Sequence, residues 1–148
     1  MPRRQTMPER WLLVTEKNRE DLLALARKLP LGSGMFLLVP VSPSVMRRLR
    51  LLARSRQLDV REDGAARVHN LRELRRALSR GIELIMLSPV FPTATHPGWP
   101  AIPPMRAAAY ARLADRRLVA LGGMNERRYA RVAGLGFTGW AGLSAFRT

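Results

Sequence analysis

Seven short apolar runs divide this chain, and most of them are apolar at consecutive positions, not at every second one. Trp11 to Thr15, Met35 to Val39, Glu83 to Leu87, Leu118 to Leu121 and Gly139 to Leu143 are the clearest. A strand that is apolar on both faces needs cover on both faces, and that is the condition of a parallel sheet under helices. The intervening segments supply the helices. Asn18 stands where a cap would precede the stripe Leu22, Leu25, Ala26 and Leu29. Ser42 precedes Pro43, and Asn70 precedes Glu73 by three residues, as in a capping box. Met105 to Ala114 is alanine-rich and helical, and Asn125 opens a segment carrying Tyr129, Val132 and Ala133. Strand and helix alternating in this way predict an α/β fold with mostly parallel strands. A doubly wound sheet and a barrel both satisfy the pattern.

One step breaks the alternation. The weaker runs Leu58 to Asp63 and Ala66 to His69 are separated by a few residues around Asp63-Gly64. A parallel crossover needs about a dozen residues. The expectation is therefore a hairpin at this point, or one run that is not a strand.

At 148 residues the chain is expected to form one domain spanning 1–148. It has no cysteine, so disulfides, thiolate chemistry and cysteine-ligated zinc are excluded. The start has basic residues but no apolar core of a signal peptide, and no run approaches the ~18 residues of a membrane span. A cytoplasmic protein without a membrane partner is the expectation, and nothing in the sequence speaks against an oligomer.

The net charge is +15, and 24 of the 26 basic residues are arginine. Arg47, Arg50 and Arg54 share one helical face, and Arg72, Arg76 and Arg80 recur at every fourth position. A solvated outer face is the favoured reading over a phosphate-backbone surface. Trp11, Trp99 and Trp140 show no spacing of a base-stacking platform, so nucleic acid is not the expected partner.

Gly134, Gly136 and Gly139 fit G-x-G-x-x-G, but they follow a helix and precede a strand, the reverse of a dinucleotide fingerprint, and read as a helix stop and a turn. The two histidines, His69 and His96, lie in different segments with no metal-ligand pattern around them, and His69 reads as structural. Gly122-Gly123 and Gly142-Leu143-Ser144 end two successive strands. Glycine there lets backbone amides approach an anion, and in an eight-stranded barrel phosphate sits after the last two strands. The proline-rich stretch LSPVFPTATHPGWP, Leu87 to Pro100, follows the fifth run directly.

Taken in order, V-H-N at 68–70, L-S-P-V-F-P-T-A-T-H at 87–96, A-L-G-G-M at 120–124 and G-x-x-G-x-A-G-L-S at 136–144 resemble the thiamine phosphate synthase and thiazole tautomerase superfamily. W-L-L-V-T near the start is similar to that family's first strand, and the strong resemblance covers about residues 66–146. The resemblance implies a (β/α) barrel of the TIM type, shortened here to fewer than eight regular units. It also implies a phosphorylated small molecule as ligand, a thiazole phosphate, joined in working members to an aminopyrimidine diphosphate with magnesium. Thr93 and Thr95 match the threonines that contact the thiazole phosphate. Gly122 or Gly123 matches the phosphate-binding glycine, and Leu143 with Ser144 the backbone pair that completes the anion site. His96 stands where the family has a lysine. VPVSP at 39–43 replaces its pyrimidine-diphosphate motif, and Ser88-Pro89 takes the place of the tautomerase histidine. The family's Asn-Asp pair falls on Glu62-Asp63, which makes Asp63 the one candidate magnesium ligand. A strand-and-helix segment with the second metal aspartate is missing between Asp63 and the V-H-N run. No catalytic residue is assigned. A catalytically inactive phosphate-ligand binder and a basic nucleic-acid binder are the alternatives.

Overall fold

The computed structural model describes residues 7–92 and 98–143. Seven strands and five α-helices follow in the order β1 (Arg10–Val14), α1 (Leu22–Lys28), β2 (Gly34–Leu37), α2 (Pro43–Arg56), β3 (Asp59–Arg61), β4 (Ala65–Val68), α3 (Leu71–Ser79), β5 (Leu84–Leu87), α4 (Pro104–Ala114), β6 (Leu118–Ala120), α5 (Glu126–Val132) and β7 (Gly139–Gly142). All pairings are parallel, in the spatial order β3-β2-β1-β7-β6-β5-β4.

The connectivity dictates the curvature. Laid flat, seven strands at their usual spacing would hold the outer two about 29 Å apart. Only Glu62, Asp63 and Gly64 join those two outer strands, β3 and β4. A fully stretched chain from Arg61 to Ala65 reaches about 14 Å. The sheet therefore curls until its edges approach, giving a shortened TIM-type barrel with a seam between β3 and β4. This corrects the expectation of a hairpin or a lost strand. Both runs are strands, and they do not pair. The chain passes from one edge of the curled sheet to the other without needing a crossover helix.

The curl also explains why the strands are apolar at consecutive positions. Trp11, Leu13, Phe36, Leu84, Met86, Val119 and Ala141 form one cluster inside the curl. Their neighbours in sequence face outward. Leu12, Val14, Met35 and Leu37 pack with α1 and α2, while Val68, Ile85, Leu87, Leu118, Ala120 and Trp140 pack with α3, α4 and α5. Each large apolar side chain so buried contributes about 1.5–3 kcal/mol. Trp11 is fully buried, and its indole N–H donates to the Pro8 carbonyl at 2.9 Å. Gly34, its partner in the β1–β2 register, leaves the ring its space. A Cβ at Gly34 would lie 2.5 Å from Cδ2 and Cζ3 of Trp11.

Three of the four expected caps are in place. Oγ of Ser42 accepts from Val45 N–H at 3.4 Å, Oδ1 of Asn70 from Glu73 N–H at 2.9 Å, and Oδ1 of Asn125 from Arg128 N–H at 2.8 Å. Asn18 does something else. It is buried, donates from Nδ2 to Leu13 O at 2.8 Å and accepts from Thr15 N–H at 2.7 Å. It ties off the end of β1, and a 3₁₀ turn over Arg19–Asp21 leads into α1 instead. A carboxamide can serve a strand end as well as a helix start, and the sequence does not distinguish the two.

Candidate functional site

Because all the strands run one way, their carboxyl ends share one face. His69 follows β4, Ser88 to Pro92 follow β5, Leu121 to Gly123 follow β6, and Leu143 follows β7. β6 and β7 are paired neighbours, so the two glycine-bearing ends lie side by side. Leu121 and Leu143 both pack at the margin of the inner cluster.

The segment after β5 is laid across the end of β6. Val90 N–H donates to Leu121 O at 2.9 Å, Phe91 N–H to Gly122 O at 3.2 Å, and Ile102 N–H to Pro89 O at 2.9 Å. The Ser88–Pro89 peptide is cis. This arrangement gives the two glycines a structural reason that the sequence did not reveal. Gly122 has φ +102 and Gly123 φ +62, conformations that suit glycine. A Cβ at Gly122 would stand 2.8 Å from Pro89 Cα, and one at Gly123 would stand 2.8 Å from Pro92 O. The backbone that comes close to Gly122-Gly123 is that of the proline segment, whether or not an anion follows it.

Thr93, Thr95 and His96, together with Ser144, lie outside the described residues. What stands at the edge of that region is a cation the sequence reading passed over. Arg128, in the first turn of α5, donates from Nη1 to Gly123 O at 2.6 Å. Its guanidinium lies 5.3 Å from the Phe91 ring centroid, and that of Arg131 lies 5.8 Å from the same ring. The signal was available. Asn125 as cap places residue 128 one turn back toward the strand end, next to Gly123.

His69 is held by its own helix. Its ring Nδ1 is 3.1 Å from Oε2 of Glu73, which also accepts from His69 N–H at 3.3 Å. The ring meets Trp99 edge to face at 5.5 Å. This is a capping and packing role. On the pyrimidine side, the loop after β2 offers Val39 to Ser42, where Arg19 Nη1 donates to Pro40 O at 3.3 Å. Glu62 and Asp63 are exposed in the link across the seam. Among the described residues no three carboxylates or histidines are gathered in one place. That donor set does not fit a magnesium site of carboxylate oxygens, so no chemistry is routed through Asp63. At the seam Arg61 is bound to Asp59 at 3.1 Å and lies 3.6 Å from Glu83. The hydrogen bonds it donates to Asp59 hold its guanidinium more firmly charged, against the opposing effect of burial.

A curled parallel α/β sheet with its loops gathered at the strand carboxyl ends defines the TIM-barrel class of site. Within that class the model of the thiamine monophosphate synthase family matches residues 65–146, more than half of the sequence, and the chain belongs to that family. A solved thiamine phosphate pyrophosphorylase from Pyrococcus furiosus is similar at 16% identity and a TM-score of 0.74, covering 95% of this chain and 88% of that one. A thiamine phosphate pyrophosphorylase from Bacteroides thetaiotaomicron is similar at 15% identity and a TM-score of 0.55, covering 94% and 84%. At such identities the likeness is one of fold. No curated protein matches the chain. Among the described residues no helix is long and apolar enough to cross a membrane.

Proposed function

We propose that this member of the family binds a phosphorylated small molecule of the thiazole phosphate type at the ends of β6 and β7, beneath the segment after β5. The observation that carries the reading is the juxtaposition at Gly123, where two strand ends, the proline segment and Arg128 converge. Backbone amides at such an end and a fixed guanidinium suit a phosphate monoester. Arg128 has five N–H donors, and the bond to Gly123 O uses one of them. It supplies a cation to a chain whose sequence has His96 in place of the family's lysine. Thr93 and Thr95 contribute hydroxyls from the loop, and Leu143 with Ser144 contributes backbone amides.

The half of the site that would handle an aminopyrimidine diphosphate is poorly furnished by comparison. VPVSP at 39–43 brings no side-chain cation, and among the described residues Asp63 belongs to no cluster of three metal-ligating side chains. The chain therefore acts as a binder of the thiazole phosphate half, with the coupling of the two halves slow when it works alone.

Calorimetry with thiazole phosphate and with inorganic phosphate tests the reading. Thiazole phosphate binds the wild type, phosphate binds more weakly at the same place, and Arg128→Gln lowers both affinities about tenfold or more. His96→Ala, which removes the side chain standing in the family lysine's sequence position, weakens binding as well. Binding that is indifferent to Arg128→Gln, or no binding by the wild type at millimolar ligand, would show the site to be misassigned.

A further inference from the structure

The seam leaves α2 half covered. α1 packs against α2, and α3 packs against α4, but no comparable contact joins α2 to α3 across the gap. Two open hollows lie on this side of α2, of about 1050 Å³ along the helix and about 500 Å³ over the β3–β4 link. They meet at Arg50 and Val60, so together they form one groove. Its floor holds Val60 and the edge of β3, and Leu51 stands on its wall with 68% of its surface exposed. A hollow this open does not enclose a small molecule. It is the shape left when a barrel lacks one helix.

Along α2 the charge on its rim is one-sided, whereas Glu62, Asp63 and Glu83 border the smaller hollow over the β3–β4 link. Arg47, Arg50 and Arg54 are all exposed along two turns of α2, about 10 Å. Among the described residues none of the three makes an ion pair. Asp59, the acid that lines the larger hollow, is committed to Arg61 through both of its oxygens at 3.1 Å. Like charges three and four residues apart weaken a helix, so the stripe is unfavourable to the chain that carries it. An anionic surface laid against it would reverse that sign.

We propose that this groove is a docking site for an acidic amphipathic helix of another protein, seated along α2 over the edge of β3. Its carboxylates would face Arg47, Arg50 and Arg54, and its apolar stripe would cover Leu51 and Val60. A second copy of the chain is disfavoured by the same charges. Two copies joined face to face would set arginine stripe against arginine stripe, in a chain of net charge +15. Nucleic acid is disfavoured because, among the described residues, no aromatic ring lines the groove to stack a base.

The probe is a labelled synthetic helix of about 18 residues, with Glu at i, i+3 and i+7 beside a Leu stripe, titrated with the whole chain at ~0.15 M salt and read by anisotropy. Micromolar binding is expected. The triple variant R47E/R50E/R54E raises the Kd about tenfold or more, and Leu51→Ser raises it severalfold, with unchanged circular dichroism and unchanged phosphate binding. That last control separates this groove from the phosphate site, on which the proposal does not depend. The proposal is overturned if the helix does not bind, or if a scrambled helix of the same composition binds equally well. It is likewise overturned if a DNA duplex competes with higher affinity at the same salt, or if sedimentation finds a dimer that the triple variant dissociates.

Discussion

Replacing Gly34 by alanine sets two known effects against each other, and the structure says which wins. Gly34 sits in β2 with a backbone that any residue can adopt. In open space the change would stabilise the fold by about 0.4–1 kcal/mol, by reducing the freedom of the unfolded chain. Here the new methyl lies 2.5 Å from two carbons of the buried Trp11 ring. The ring must move by about an ångström to reach ordinary contact near 3.5–4 Å. It is enclosed by Phe36, Leu84 and the rest of the inner cluster, and Arg61 lies over it at 5.4 Å. Overpacking of this kind costs about 1–3 kcal/mol, and loss of the indole bond to Pro8 O adds about 1 kcal/mol. The expected net loss is about 2–3 kcal/mol, a fall in Tm of roughly 5–10 °C for a chain this long. Thermal unfolding followed by circular dichroism measures it. Combining Gly34→Ala with Trp11→Leu removes the clash, so the two changes should couple by more than about 1 kcal/mol in a double-mutant cycle. A Gly34→Ala protein as stable as wild type would refute the packing argument, as would two losses that simply add.

Asn70→Ala removes the side chain that accepts from Glu73 N–H and should cost about 1 kcal/mol in chemical denaturation; no measurable loss would deny the cap its role. Tyr129 is buried, and burial first, then the charge of Glu9, raises the pKa of its hydroxyl. The folded state therefore holds that proton more tightly, so its stabilising contribution is full below the unfolded value near 10 and is lost as pH rises through the higher folded value. Denaturation midpoints should fall above about pH 10, and Tyr129→Phe should flatten the decline; an equal decline in the variant would clear Tyr129 of it. With both substrates and magnesium, the isolated chain should form thiamine phosphate well below the enzyme median of ~10 s⁻¹, and a turnover at that level would contradict the reading of 39–43.

The strands were legible because burial on both faces writes itself into consecutive apolar residues, and the edges of all seven runs lie within a residue or two of their observed positions. Ser42, Asn70 and Asn125 were legible because a cap is a local device. The seam was not. Whether 62–64 turns back or runs on depends on which strands flank it in space, and no local pattern encodes that. Gly122 and Gly123 were legible as special positions, but their reason was not, since Pro89 and Pro92 approach them from another strand. Arg128 was one of many arginines, and its place three residues after the Asn125 cap was the signal that pointed toward Gly123.

The order of the strands also says how such a chain must assemble. β1, β2 and β3 pair over about 25 positions of sequence, and β4 through β7 over about 20 to 35, each group with its own outer core. Only β1 with β7 joins the groups, and there Arg10 meets Trp140 across 130 positions. Closing that loop is dearer by about 1.5 kcal/mol of chain entropy than closing a local one. The two groups can thus form early and separately, while the inner cluster, drawn from both, exists only after they join. Kinetically, truncations at Leu84 or Val119, whose side chains belong to the inner cluster, should leave the folding rate nearly untouched and appear as faster unfolding, with φ-values near zero.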